Sequence, residues 1–194
     1  MTSSTPRSLH ELAEAGQLPD HQVMDQPTLD WIARNRPVDA GVGATLPHRP
    51  VPLVPEASWF ARTETPASIH GVLHGARVAV LLQLLAAEQG FAPGRALALA
   101  AGAACHDCRR HDDRTDPGHG QRAARWLAEH PHLPQAAFGV TAGTEAFTAV
   151  ALHDLPHDAF TAEEADAYRQ HQVAVDLRKA ADALDRYRLP LLRW

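Results

Sequence analysis

The residues best suited to chemistry begin with two histidines in the stretch 68–78. His70 and His74 are four residues apart, and Arg77 follows three residues later. If this stretch is helical, both imidazoles and the guanidinium project from one face. Two histidines stacked in this way are a frequent start of a metal or phosphate site. The alternative is a helix with two partly exposed histidines in a histidine-rich chain.

Further candidate ligands lie downstream. His106 and Asp107 are adjacent at the predicted end of one helix, and Asp182 lies in a later helix. With His74, three separate helices would present these side chains toward one point. Imidazole nitrogens and carboxylate oxygens suit Zn²⁺, Fe, Mn²⁺, Ni²⁺ or Co²⁺. We therefore predict a divalent metal site formed by His74, His106, Asp107 and Asp182.

Helices must position these residues, and the sequence predicts five or six of them in an all-α bundle. Thr65 followed by Pro66 is typical of a helix start, and Gly90 is typical of a helix end. The alanine-rich stretch 95–105 predicts a buried second helix that ends at His106. The remaining helices are predicted over 121–129, over 146–153, and from a Thr161 cap to Tyr187 with a bend. Residues 108–120 are predicted to form a polar loop.

Residues 1–64 differ from the rest and predict an arm packed on a main domain of residues 65–194. Short helices are expected over 9–15 and 28–35, the second capped by Thr28. Five prolines and two glycines in 37–55 predict extended or looped chain. Apolar residues such as Trp31, Leu53 and Trp59 are expected to anchor the arm.

Composition excludes several classes of function. The chain has 194 residues, 45% of them hydrophobic, with a formal net charge of −5. It lacks the basic stripe of a nucleic-acid-binding protein. The start of the sequence has no apolar signal segment, and its longest apolar run is too short to span a bilayer. We expect a soluble, cytoplasmic protein with a small-molecule partner and no membrane.

The two cysteines, Cys105 and Cys108, are too few for a disulfide scaffold or a four-cysteine zinc site. No strand precedes them, as a thioredoxin-like redox site would require. We expect two reduced, partly buried thiols.

The ordered set His74, His106-Asp107 and Asp182 resembles the HD-domain superfamily of metal-dependent phosphohydrolases. The segments that carry the resemblance are H-G-A-R-V at 74–78, A-A-G-A-A-C-H-D-C-R-R at 100–110 and A-A-D-A-L-D-R at 180–186. The resemblance spans about residues 66–190. It implies an HD-domain-like bundle, a metal held by those four residues, and hydrolysis of a phosphoester in a nucleotide-like or other phosphorylated metabolite.

A subgroup with the pattern H-G-x-x-H-x-x-R-V, followed by D-P-x-H-G and a late histidine, is closer still. The phosphodiesterase domain of the SidE ubiquitin-ligase effectors looks like a distant relative of it. This resemblance implies catalytic roles for His70, Asp113 and His153. The sequence departs from the subgroup at Ala180, where an Asp is common.

Substrate binding is predicted for Arg77, Arg110 and His119. Arg110 is the better phosphate ligand, because an arginine in the position of Arg77 more often supports a carboxylate. His119 and His153 are also candidate ligands of a second metal ion, so the site is expected to hold one or two.

Two other functions stay open. One is a dinuclear iron oxygenase, because some HD-fold members carry two extra histidines between the HD pair and the last Asp. The other is a non-catalytic helical regulator that keeps the metal as a structural site. The donor-rich loop 108–120 argues against the regulator, because a closed structural site does not need it.

Overall fold

The chain is all helical in its computed structural model, which describes residues 6–35 and 49–186. Eight α-helices form within those ranges, and the described backbone contains no β-strand beyond one isolated bridge between Val23 and Ser68. The helices are α1 (Leu9–Glu14), α2 (Gln26–Asn35), α3 (Val72–Glu88), α4 (Pro93–Cys105), α5 (His119–Glu129), α6 (His132–Phe138), α7 (Thr144–Ala151) and α8 (Ala162–Arg186). Helices α3 to α8 form an all-α bundle of six, within the five or six helices predicted. None of the described helices is both long enough and apolar enough to cross a membrane.

The bundle is organised around α3 and α4, which pack on each other. Helix α8 packs on α3, and α7 packs on α4, α5 and α8. Most of α4 is buried, and its many alanines are small enough to let neighbouring helices approach closely. Gly75 shows the need for this, because a Cβ added there would collide with the backbone carbonyl oxygen of Ala104. The close approach brings the start of α3 next to the end of α4.

The N-terminal part contributes side chains to the same core. Leu53 and Trp59 are buried, and the Trp59 ring lies 5.9 Å from Trp126 and 5.6 Å from Phe138 between centroids. The Val51 N–H donates to the Gln83 side-chain oxygen at 2.9 Å, and the Gln83 amide donates back to the Val51 carbonyl at 2.8 Å. The proline-rich stretch is only partly described, because residues 36–48 lie outside the described ranges; residues 49–55 contain no helix.

The predicted helix from Thr65 is wrong at its start. Residues Thr65–Ala67 form a single 3-10 turn, and α3 begins at Val72 with Gly71 as its N-cap. The chain between them is drawn into the bridge with Val23, where the Ile69 N–H donates to the Gln22 carbonyl at 3.0 Å. A Cβ on Gly71 would collide with the Pro66 carbonyl, so the backbone turns tightly here. His70 therefore lies in this turn and not on the helix face that carries His74.

Other predicted boundaries also change. Helix α2 begins at Gln26, so Thr28 is inside it, and the Asp25 carboxylate accepts the Thr28 N–H at 3.1 Å in the capping role. Helix α5 begins at His119, inside the stretch predicted as loop, and α7 ends at Ala151, before His153. Helix α6 was not predicted. The bend in α8 is confirmed at His171, whose φ of −126° is non-helical, while the predicted end at Tyr187 lies outside the described residues.

Candidate metal centre

The four predicted ligands come together at the junction of α3, α4 and α8. The His74 Nε2 atom lies 3.5 Å from Asp107 Oδ2 and 3.2 Å from Asp182 Oδ1. The His106 Nε2 atom lies 3.1 Å from the same Asp107 oxygen and 4.0 Å from Asp182 Oδ1. Helix α3 carries His74, the end of α4 carries His106 and Asp107, and α8 carries Asp182. The side chains are buried, and Asp182 is 14% exposed at the edge of the cavity.

A second group of donors lies on the other side of Asp107. Its Oδ1 atom is 3.1 Å from His119 Nε2 and 3.7 Å from His153 Nε2. The two Nε2 atoms are 3.1 Å apart. The Asp107 carboxylate thus presents one oxygen to each group. His119 comes from the start of α5 and His153 from just after α7.

The hydrogen bonds of the four histidines set one tautomer. In three of them the Nδ1–H donates at 2.7 Å to a backbone carbonyl three residues earlier, and these pairs are His106 with Ala103, His119 with Asp116 and His153 with Val150. His74 instead has its Nδ1 atom 2.5 Å from Asp185 Oδ2. Every Nε2 atom is therefore left to face the centre. This is the tautomer that a metal ion requires, and partners on the far nitrogen fix the ring orientation.

Asp185 is a supporting residue that the sequence reasoning did not identify. It lies one turn after Asp182, and Arg77 donates its Nε–H to the other Asp185 oxygen at 2.7 Å. Arg77 is one turn after His74 on α3, so His74 and Arg77 share one carboxylate on α8. In the sequence, Arg77 follows His74 by three residues and Asp185 follows Asp182 by three residues, and this equal spacing indicated that the two pairs could meet. Arg77 is ion-paired there and is not a lining residue of the cavity described below.

Several donors of the centre have no partner for their lone pairs. His74 Nε2, His106 Nε2 and Asp107 Oδ1 are buried, and no hydrogen bond satisfies them within the described chain. Ligands about 2.1 Å from one ion lie about 3.0–3.5 Å apart in octahedral or tetrahedral arrangements. Three separations within the first group, 3.1, 3.2 and 3.5 Å, fit this range. The fourth, 4.0 Å between His106 Nε2 and Asp182 Oδ1, is longer. The donor sets His74, His106, Asp107 and Asp107, His119, His153 are each able to hold a metal ion.

The electrostatics of the centre follow from burial and from its carboxylates. Burial lowers the pKa of His106 to about 3, with the nearby Arg178 charge acting in the same direction. Burial opposes a charge on His74 too, but its contacts with Asp107, Asp182 and Asp185 raise that pKa to about 9. The carboxyl pKa values of Asp107 and Asp182 lie well below the usual range, because the surrounding histidines outweigh the cost of burial. Without metal, a proton on His74 offsets part of the negative charge of these carboxylates.

Arg178 is a second residue that sequence reasoning missed. It lies one turn before Asp182 on α8, it is fully buried, and its guanidinium nitrogens make no hydrogen bond within the described chain. Burial lowers the pKa of both His106 and His153, and the positive charge of Arg178 lowers it further. It therefore favours the neutral form of these two imidazoles.

A cavity of about 760 Å³ opens beside the centre. Its walls combine the predicted catalytic residues with the N-terminal arm, and they include Ala13, Gly16, Leu18, Gln22, Ile69, His70, Asp107, Arg110, Asp113, Arg114, Asp116, His119, His153, Asp154, Asp182 and Arg186. The cavity is far larger than a phosphate group alone. The contribution of the arm to its wall was not predicted residue by residue.

His70 and Asp113 form a pair at this wall. The His70 Nδ1 atom lies 2.9 Å from Asp113 Oδ1, and the His70 and His74 rings are 5.7 Å apart between centroids. Burial lowers the pKa of His70 despite the nearby carboxylate, so the ring is neutral near pH 7. Burial raises the Asp113 pKa, but hydrogen bonds from His70, Gln22 and Ser68 lower it by more, so that the pKa lies below its usual value. The ionised carboxylate accepts the Nδ1–H, which leaves the Nε2 lone pair of His70 available.

Arg110 lines the cavity with its guanidinium already engaged. Its Nε and Nη2 atoms donate to the carbonyls of Asp112 and Arg114, at 3.0 and 3.2 Å. Its Nη1 lies 3.2 Å from His119 Nε2 and 3.8 Å from Asp107 Oδ1. Arg110 thus holds a fixed positive charge between the candidate metal ligands and the cavity. The two cysteines lie apart from this chemistry, because both are buried and free, and burial raises their thiol pKa values.

Comparisons of the chain with protein-family models, with curated proteins and with solved structures find no match.

Proposed function

We propose that this protein is a metal-dependent phosphohydrolase or phosphodiesterase that cleaves a phosphoester of a small molecule. The observation that carries the proposal is the convergence of histidine Nε2 atoms and carboxylates beside a cavity. Asp107 and Asp182 reach the wall of that cavity, which the neutral His70 also lines. The resemblance of the same ordered residues to HD-domain phosphohydrolases points to the same chemistry. The cavity volume of about 760 Å³ leaves room for an organic group as well as a phosphate.

His74, His106, Asp107 and Asp182 would hold the metal ion, with Zn, Mn, Fe, Ni and Co as candidates. When bound, such an ion polarises a phosphoryl oxygen and lowers the pKa of a bound water toward neutrality. Arg77 and Asp185 keep His74 oriented for this role. The backbone carbonyls of Ala103 and Val150 do the same for His106 and His153.

His70 is the proposed acid–base residue. Its Nδ1–H is held by Asp113, so proton exchange takes place at Nε2. A neutral imidazole there accepts a proton from an attacking water or, once protonated, donates one to the leaving oxygen. Arg110 would provide a fixed positive charge for the phosphate, as expected for substrate binding. His119 would act beside it through the centre, because both of its ring nitrogens already have partners.

The test is hydrolysis by the purified protein after loading with each candidate metal in turn. We expect cleavage of p-nitrophenyl phosphate or bis(p-nitrophenyl) phosphate, loss of cleavage with a chelator, and recovery when the metal is returned. A panel of natural phosphomonoesters and phosphodiesters then defines the substrate. Failure of every metal-loaded form to cleave any ester would contradict the proposal.

A dinuclear iron oxygenase is the second candidate, and a specific observation favours it. Asp107 offers one oxygen to each of two donor groups, the second of which contains His119 and His153. Such an enzyme would hold two irons per chain, absorb visible light and consume O₂. Metal content and an absorption spectrum separate it from a colourless hydrolase with one ion.

A further inference from the structure

Asp113 receives hydrogen bonds from three residues in two segments of the chain. Its Oδ1 atom accepts from the Ser68 hydroxyl at 2.8 Å and from His70 Nδ1–H at 2.9 Å. Its Oδ2 atom accepts from the Gln22 backbone N–H at 2.6 Å. Asp113 is 5% exposed, so none of these donors is readily replaced by water.

Ser68 closes a ring of hydrogen bonds around His70. The Ser68 Oγ atom accepts the His70 backbone N–H at 3.2 Å and donates its own hydrogen to Asp113. Asp113 in turn accepts from the His70 ring. The imidazole is thereby fixed relative to its own backbone, although His70 does not lie on a helix.

The arm segment 20–24 is fixed to this ring by backbone pairing. The Ile69 N–H donates to the Gln22 carbonyl at 3.0 Å, and the Met24 N–H donates to the Ala67 carbonyl at 3.1 Å. On the other side, the Asp113 N–H donates to the Asp20 carbonyl at 2.7 Å. The arm therefore contacts both the segment that carries His70 and the residue that orients its ring.

We propose that Ser68 and the backbone N–H of Gln22 are positioning elements that hold the Asp113–His70 pair in the Nδ1–H tautomer with Nε2 directed to the cavity. The expected effect of these elements on turnover rests on the proposed acid–base role of His70. Their expected effect on the His70 tautomer does not depend on that role. Bonds to an ionised carboxylate are among the stronger ones in proteins. If the network served only to attach the arm, its loss would change stability and leave the tautomer intact.

The test compares Ser68→Ala with Ser58→Ala, which removes the same atom from an exposed serine elsewhere on the surface. The His70 tautomer is read from ¹⁵N chemical shifts in metal-free protein, assigned by comparison with His70→Gln. We expect Ser68→Ala to mix the two tautomers and Ser58→Ala to leave the Nδ1–H form dominant. A pure Nδ1–H tautomer in Ser68→Ala would overturn the proposal.

A second pair of variants isolates the contribution of the arm. Gln22→Pro removes the backbone N–H, whereas Gln22→Ala keeps it and removes only the side chain. We expect mixed His70 tautomers in Gln22→Pro and the native tautomer in Gln22→Ala. If the proline variant does not fold, Ser68→Ala still decides the proposal.

Kinetics on metal-loaded protein with bis(p-nitrophenyl) phosphate add an independent measurement. Losing a hydrogen bond to the charged carboxylate should lower kcat of Ser68→Ala by about tenfold to a hundredfold, with KM and metal content near those of Ser58→Ala. An unchanged kcat would contradict the effect on turnover. If wild-type protein cleaves no ester, the proposed function fails, and the tautomer measurement still decides the positioning role.

Discussion

At the scale of single residues, the centre depends on which ring nitrogen carries the proton. Each of the four histidines donates from Nδ1 to a carbonyl or faces a carboxylate with it, so the Nε2 atoms converge. The Nε2 atoms of His119 and His153 lie 3.1 Å apart, and their lone pairs repel each other unless a cation or a proton lies between them. The arrangement is therefore stabilised by a positive charge at its centre.

Metal binding is expected to release a proton from His74. In the metal-free protein its pKa is raised to about 9, so the folded state holds this proton at neutral pH, and a ligand must lose it. The apparent metal affinity should thus increase by about tenfold per pH unit between pH 7 and 9 and level off above. Calorimetric titration in buffers of different ionisation enthalpy measures both the metal affinity and the number of protons released. An affinity independent of pH over this range would contradict the role of His74.

Replacing His70 by Ala should leave metal content and folding unchanged and lower kcat by about a hundredfold or more, the usual scale for lost acid–base catalysis. The reason is that its ring lies beside the centre while its Nδ1 is bound to Asp113 and not to a ligand. His157→Ala, which replaces an exposed histidine, serves as the control. Near-normal kcat with an altered KM would show that His70 only contacts substrate.

At the scale of elements, the ligands converge because α3 and α4 approach closely. Gly75 permits this, since a side chain there would strike the backbone of Ala104. We expect Gly75→Ala to lower the free energy of unfolding by about 1–3 kcal/mol or more and to weaken metal binding. Gly94→Ala, in the open first turn of α4, should instead stabilise by about 0.5–1 kcal/mol. Chemical denaturation of both variants measures the difference, and a neutral Gly75→Ala would contradict the packing argument.

How far the sequence predicts these elements depends on how local the signal is. His106 and Asp107 follow the strongly apolar helix α4, and Asp182 lies within the long helix α8, so periodicity and motif were sufficient to assign them to these elements. His70 was assigned to a helix because Thr65-Pro66 is a strong local start. Pairing with the arm overrides that preference, and a contact between residues 22 and 69 leaves no periodic trace in the sequence.

The supporting residues illustrate the same limit. Asp185 lies one turn after Asp182, but its pairing with His74 and Arg77 becomes visible only when α3 and α8 are packed together. Arg178 looks like an ordinary charged helix residue in the sequence, whereas the fold buries it completely. Burial of a charge depends on every neighbouring element, so a local pattern does not predict it.

At the scale of the whole molecule, the centre exists only when the bundle is closed. Its donors come from α3, α4, α5, α8 and the segment after α7, and the arm completes the cavity wall. Loss of any one of these elements separates the ligands. Metal binding and folding of the bundle are therefore expected to be coupled.

The most direct test of the central claim is the metal content of purified wild-type protein, Asp107→Ala and Asp158→Ala, measured by elemental analysis after dialysis. Asp158 also follows a histidine, but it is exposed. We expect wild type and Asp158→Ala to retain one or two equivalents of a divalent transition metal. Asp107→Ala should retain none while keeping a helical circular dichroism spectrum, because Asp107 contributes an oxygen to both donor groups. Stoichiometric metal in Asp107→Ala would contradict the account.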